Sequence, residues 1–242
     1  MRARLLLLLP WCLVTTARAD PPSGPLLRPP GDFSRWQVVS IYSGKTPKKD
    51  RASRHAKTTP TLAPGDRLQK LVTTRTGRIV HEERTDFAQR TTDIWYDGGT
   101  QYTRPAGAQG WLRTESNSGD PSYRPLPEIG YRDVSLVKTD NYVATVPYDD
   151  RLCLVFVPDP APKIDWTKPA AALKQLRSLD TVALVDAGTR LPVEIRANGE
   201  TRTFQFDPPP ARPQTLPADL LTQTKRGDDA RTRLNQPAPR PY

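Results

Sequence analysis

The sequence predicts a mainly β fold, a large bent antiparallel sheet in the form of an open half-barrel with one or two short covering helices. Three observations carry that expectation. Short runs rich in β-branched and aromatic residues recur from Ser34 to Phe206. Gly-containing turn pairs such as Asp97-Gly98 and Asn198-Gly199 separate several of them. The spacing is that of sequential hairpins, which pair antiparallel.

Taken in order, Ser34 to Tyr42 carries Trp36, Val38, Val39 and Ile41 and reads as the first strand. Leu68 to Arg75 follows, and Thr76-Gly77 turns it into Arg78 to Arg84. Thr91 to Tyr96 and Thr100 to Arg104 flank Asp97-Gly98-Gly99, a turn that favours positive φ. Val134 to Lys138 and Asn141 to Val146 are expected to form a third hairpin around Thr139-Asp140. Arg151 to Val157 is a nearly continuous apolar strand. Val182 to Val185, Leu191 to Ile195 and Thr201 to Phe206 close the domain as a meander. One helix is expected after Trp166, capped by Thr167, with Pro169 in its first turn and Ala172, Leu173, Leu176 and Leu179 at helical spacing. A second, from Pro217 to Arg226, has only Leu220 and Leu221 as large apolar anchors.

The ends differ from this body. Residues 1–19 read as a secretory signal peptide: Arg2 and Arg4, an apolar run from Leu5 to Val14, then Ala17-Arg18-Ala19 before the cut. The run is about half the ~20 residues of a membrane span. Residues 20–31 form a Pro-rich linker, 32–207 the β domain, and 208–242 a Pro-rich and basic C-terminal tail with a short helix. The protein is thus expected to cross the inner membrane and reside in the periplasm. The 242 residues carry a net charge of +10, which falls to +7 once Arg2, Arg4 and Arg18 leave with the signal. Such a charge suits anionic surfaces, and it equally suits simple solubility. Cys153 is the one cysteine left, so no internal disulfide forms, and its apolar neighbours imply a buried, inert thiol.

Little in the sequence speaks for covalent chemistry. His55 and His81 belong to no metal-ligand spacing, and no nucleophile elbow or phosphate-binding loop occurs. Glu82 and Glu83 point to opposite faces of a strand and cannot share a site. No enzyme, cofactor, metal or nucleic-acid partner is expected. The aromatic residues are more informative. Both faces of several strands are apolar, and a sheet with two apolar faces must cover both, with helices, loops or a ligand. Either an ordinary core under a helix or a cavity under a helical lid satisfies that demand.

The hairpin Ile94-Trp95-Tyr96-Asp97-Gly98-Gly99-Thr100-Gln101-Tyr102, followed by Gly110-Trp111, is one distinctive stretch. The meander Val182 to Asp186, Gly188-Thr189-Arg190-Leu191-Pro192-Val193-Glu194-Ile195 and Thr203-Phe204-Gln205-Phe206 is the other. Together they resemble the LolA/LolB superfamily of periplasmic lipoprotein carriers. The resemblance implies an open half-barrel, a helical lid and a hydrophobic cavity for acyl chains. The expected function is binding of a hydrophobic or amphipathic ligand, a lipid or lipoprotein acyl chain. The alternative is an envelope protein-interaction or sensing module without a cavity. Cavity candidates are Trp36, Trp95, Trp111, Phe156, Leu173 and Leu176. Lys48, Lys49, Arg51 and Arg54, in the basic segment 43–66, are the candidates for contact with an anionic membrane surface.

Overall fold

The computed structural model describes residues 22–42, 65, 67–115, 130–132, 134–159 and 164–234. The fold is mainly β, an eleven-stranded antiparallel open sheet with two short helices. The strands are β1 Phe33–Tyr42, β2 Leu68–Thr76, β3 Ile79–Asp86, β4 Thr91–Asp97, β5 Thr100–Arg104, β6 Leu112–Glu115, β7 Tyr142–Tyr148, β8 Arg151–Phe156, β9 Val182–Asp186, β10 Pro192–Ala197 and β11 Glu200–Asp207. The helices are α1 Pro169–Ser178 and α2 Ala218–Leu234. Residues 1–19, expected to be a signal peptide, and the basic residues Lys48, Lys49, Arg51 and Arg54 lie outside the described residues. Among the described residues, no helix is long and apolar enough to cross a membrane.

The chain divides into two compact units. The first to be described holds Pro29–Arg132 and Gly199–Tyr242, with strand order β6-β5-β4-β3-β2-β1-β11. Its turns obey the expected chemistry, with Gly77 at φ +63° and Gly98 at φ +58°. Strand pairing sorts its side chains onto two faces. Trp36 stands opposite Thr73 and Phe206, Val38 opposite Leu71 and Phe204, and Val80 opposite Tyr96. This is the aromatic face. On the reverse face, His81 stands opposite Thr74 and Trp95, Trp95 opposite Tyr102, and Tyr102 opposite Arg113. Helix α2 covers that reverse face, with Leu220 packed among Trp95, Tyr102 and Trp111.

The other unit holds Met1–Arg28 and Asp133–Asn198, with β10-β9-β8-β7 in that order. Helix α1 lays Leu176 against Val155, Leu184, Val146 and Tyr148, and Leu173 and Trp166 pack around them. Cys153 is fully buried there, and burial pushes its thiol up to about 11, as expected of an inert cysteine. Arg196 fixes the end of α1. Its Nη1 donates to the carbonyl oxygens of Leu176, Arg177 and Leu179 at 2.8–3.1 Å, and its Nε donates to Glu194 at 2.7 Å. The Leu176 carbonyl also accepts from the Leu179 N–H at 3.2 Å, so the two N–H bonds of Nη1 serve chiefly the Arg177 and Leu179 carbonyls at the helix end.

Four local expectations fail, each for a physical reason. Val134 to Lys138 is not a strand. Its backbone turns on itself, Val137 N–H donating to the Val134 carbonyl at 2.9 Å. The buried Asn141 amide holds the Leu136 carbonyl at 2.9 Å, and a single 3-10 turn, Thr139–Asn141, leads into β7. Strand β6 was not expected, because its four residues are mostly polar and Leu112 is 62% exposed. Thr167 does not cap α1; its hydroxyl and amide both turn to Asp165, and Lys168 occupies the cap position. Helix α2 runs on to Leu234, eight residues past the expected Arg226, because Asp228 pairs with Arg113 and Arg231 with Glu115 of β6. The continuation is held by charge pairs with the sheet and has no apolar stripe to announce it.

Replacing Arg196 with methionine should lower unfolding free energy by about 2–4 kcal/mol, since it orphans buried carbonyls and the Glu194 carboxylate together. Urea denaturation of Arg196→Met beside wild type measures this. A midpoint unchanged within error would contradict the capping role.

Candidate functional site

Two clusters in the first unit draw together the groups from which a site can be built. The first lies on the aromatic face. Tyr131 meets Trp36, Phe204 and Phe206 edge-on, with ring centroids 5.5, 6.2 and 5.7 Å apart. Such edge-to-face pairs satisfy the ring quadrupoles. The next residue, Arg132, reaches to within 3.6 Å of Glu82. Glu82 is only 1% exposed and also takes a 2.6 Å bond from Arg84, a charge-assisted pair that lets a carboxylate stand on an apolar face. Buried polar atoms on the same face without a hydrogen-bond partner among the described residues include Thr73 Oγ1 and Gln101 Oε1.

The second cluster lies on the reverse face, beneath α2. Gln223 grips the backbone of Trp111 in both directions: its Oε1 accepts from the Trp111 N–H at 2.9 Å and its Nε2 donates to the Trp111 carbonyl at 2.7 Å. The indole Nε1 donates to Asp219 at 3.0 Å, and this bond lowers the Asp219 carboxyl below its ordinary value. Arg104 lies 4.4 Å above the Trp111 ring and joins Asp219 at 3.1 Å to Asp93 at 2.8 Å. Asp93 lies in turn 3.5 Å from Nε2 of His81. His81 stacks on Trp95 with centroids 4.1 Å apart, and Glu83 lies 3.7 Å from its Nδ1. Burial lowers the His81 pKa against the pull of Glu83 and Asp93, so the neutral ring is favoured.

A cavity of about 180 Å³ opens beside this cluster, lined mainly by Tyr102, Trp111, Leu220 and Gly227, with Arg113 and Arg231 at its edge. Among the described residues, no group of three or more His, Cys, Asp or Glu side chains is placed to hold a metal.

The six residues expected to line one cavity occupy three places. Trp36 stands on the aromatic face against Tyr131. Trp95 and Trp111 share the core beneath α2. Phe156, Leu173 and Leu176 belong to the other unit, where Phe156 meets Tyr142 and the two leucines pack under α1. Sequence reasoning missed Tyr131, Gln223 and Asp219. Tyr131 follows Gly130 in a segment without periodicity, and the other two lie on a helix whose apolar signal is weak. No family model matches this chain, and neither a curated protein nor a solved structure does.

His81 supplies a pH dependence of known sign. Its folded pKa lies below the ordinary 6.5, so the unfolded chain binds more protons in that window. The stability that neutral His81 contributes is complete above the unfolded value and is lost as pH falls below it. His81→Phe keeps a ring on Trp95 and should flatten this part of the decline. Urea midpoints of the two proteins between about pH 7.5 and pH 5 should converge as the solution becomes more acidic. Parallel curves would show that His81 titrates alike in both states.

Proposed function

We propose that this protein is exported and binds an apolar or amphipathic ligand, a lipid or the acyl chain of a lipoprotein, on the aromatic face of β1, β2 and β11. The observation that carries this reading is the seat of Tyr131. Among the described residues, the Tyr131 ring meets Trp36, Phe204 and Phe206, while the helix of that unit lies on the opposite face. Swinging the ring away exposes three aromatic surfaces to a ligand.

The energies are compatible with exchange. A tyrosine ring buries roughly 150–250 Å², worth about 4–6 kcal/mol at ~25 cal/mol per Å². An acyl chain recovers ~0.8 kcal/mol per buried methylene, so about five to eight methylenes offset the lost ring. The resemblance to the LolA/LolB superfamily supports the same class of ligand, and the signal peptide supports the compartment. The basic residues Lys48, Lys49, Arg51 and Arg54 would bring the protein to anionic headgroups, at ~1 kcal/mol each near the surface. Of the six expected cavity residues, only Trp36 enters this site.

A second reading has its own observation. The cavity beside α2, about 180 Å³, is below the ~300 Å³ at which pockets for drug-sized ligands usually begin and too small for a long acyl chain, and Trp95, Trp111 and Leu176 are packed in cores. A filled fold of this kind suits an envelope interaction or sensing module.

Native mass spectrometry of residues 20–242, purified without detergent from a membrane-containing host, separates the two. An added mass that extracts into organic solvent supports lipid binding, and Tyr131→Ala should raise its occupancy several-fold. No added mass in either protein, even after incubation with phospholipid vesicles, would favour the interaction module. Charge reversal at Lys48, Lys49, Arg51 and Arg54 should abolish flotation with anionic vesicles and leave loaded ligand in place. Unchanged flotation would remove the surface-contact role.

A further inference from the structure

The cavity under α2 has a feature that its fold does not require. Gly227 lies inside the helix, where glycine costs helix stability relative to alanine. Steric need does not explain it: a Cβ built on Gly227 meets no atom within 4 Å. Nor does backbone conformation, since Gly227 is absent from the positive-φ glycines. Gly227 lines the cavity together with Tyr102, Trp111 and Leu220, and it leaves room that a side chain would take.

The size of that space is informative. About 180 Å³ compares with the roughly 150 Å³ of an apolar cavity that takes up one benzene. The walls are two aromatic rings and a leucine, and Gln223 clamps Trp111 in place from both sides of its peptide unit. The rim is charged. Glu115 receives Arg113 at 2.9 Å and Arg231 only at 3.7 Å, and Arg113 is held a second time by Asp228 at 3.0 Å. Arg231 therefore makes the looser of the two contacts to Glu115, and its side chain is 65% exposed. A carboxylate at the cavity mouth can take its guanidinium without breaking the tighter pairs.

We propose that this cavity is a binding site for a single-ring aromatic carboxylate, its ring seated between Trp111, Tyr102 and Gly227 and its carboxylate at Arg231. The site lies on the reverse face from the lipid site proposed above and does not rest on that reading. Ring burial supplies the affinity and the exposed ion pair supplies orientation, so binding is weak and specific for shape.

The test uses the full mature chain with benzoate, toluene and acetate as probes, read at the indole N–H of Trp111 by NMR and assigned with Trp111→Phe. Benzoate should shift that signal saturably at millimolar concentration. Toluene should bind up to about fivefold more weakly, in keeping with the worth of an exposed ion pair. Arg231→Gln should remove the difference between them. Gly227→Leu, which places a side chain in the open space of a helix and favours folding, should abolish the shift by both rings while the far-ultraviolet circular dichroism is kept. Three outcomes overturn the proposal: no saturable shift with benzoate, an equal shift with acetate, which means an adventitious ion only, or undiminished benzoate binding by Gly227→Leu.

Discussion

Apolar side chains on both faces of the strands are the constraint from which the rest follows. Neighbouring residues in a strand point to opposite sides, yet Ile94, Trp95 and Tyr96 of β4 are all buried, as are Cys153 to Phe156 of β8 and Val182 to Val185 of β9. Leaving one side bare would expose areas of aromatic and branched surface that a soluble protein rarely carries. Each unit must therefore recruit cover. In the unit of β7 to β10, α1 provides it on the side of Val155 and Leu184. In the unit of β1 to β6 and β11, α2 provides it on the side of Trp95 and Tyr102.

How the two helices are attached shows which forces dominate. Neither carries a broad apolar stripe. Helix α2 buries Leu220 and leaves Leu221 half exposed. It is held in addition by polar clamps: Gln223 on the Trp111 backbone, Asp219 on the indole and Arg104, and Asp228 on Arg113. Exposed ion pairs contribute little each, about 0–1 kcal/mol. Their number matters less for stability than for register, because they fix which turn of the helix faces which strand. Burial of Leu220 against Trp95, Tyr102 and Trp111 supplies the attraction. For α1 the division is similar, with Leu176 buried and Arg196 bonding the terminal carbonyls.

Much of the fold was readable from residues alone, since strands and turns here follow local rules. Asn198-Gly199 takes positive φ at both residues, as a two-residue hairpin turn demands. Pro192 opens β10, where it forfeits no interior ladder bond. The misreadings come from side-chain bonds that composition does not show, some from close by, as Asn141 to Leu136 and Thr167 to Asp165, and some from far along the chain, as Asp228 to Arg113. Val134 to Lys138 has strand composition, but the Asn141 side chain turns its carbonyl inward. β6 has poor strand composition, but β5 and α2 pair with it on two sides of its residues. The site was less readable than the fold for the same reason. Tyr131 acquires its partners from β1 and β11, roughly 95 and 75 positions away, and no local spacing encodes that.

The aromatic face also carries a cost that core packing alone does not explain. Thr73 Oγ1 is buried to 1% exposure without a partner among the described residues, and Gln101 Oε1 is in the same position. An unpaired buried polar group costs about 1–3 kcal/mol. Valine has nearly the volume of threonine and would fill the place of Thr73 without that cost, on a strand where β-branched residues are favoured anyway. On the reading proposed above, a ligand bearing ester or amide groups that displaced Tyr131 would supply the missing partner of the Thr73 hydroxyl. Thr73 stands directly opposite Trp36, which the Tyr131 ring meets edge-on, so the unpaired hydroxyl and that ring lie at one place on the sheet, whereas Gln101 lies on β5.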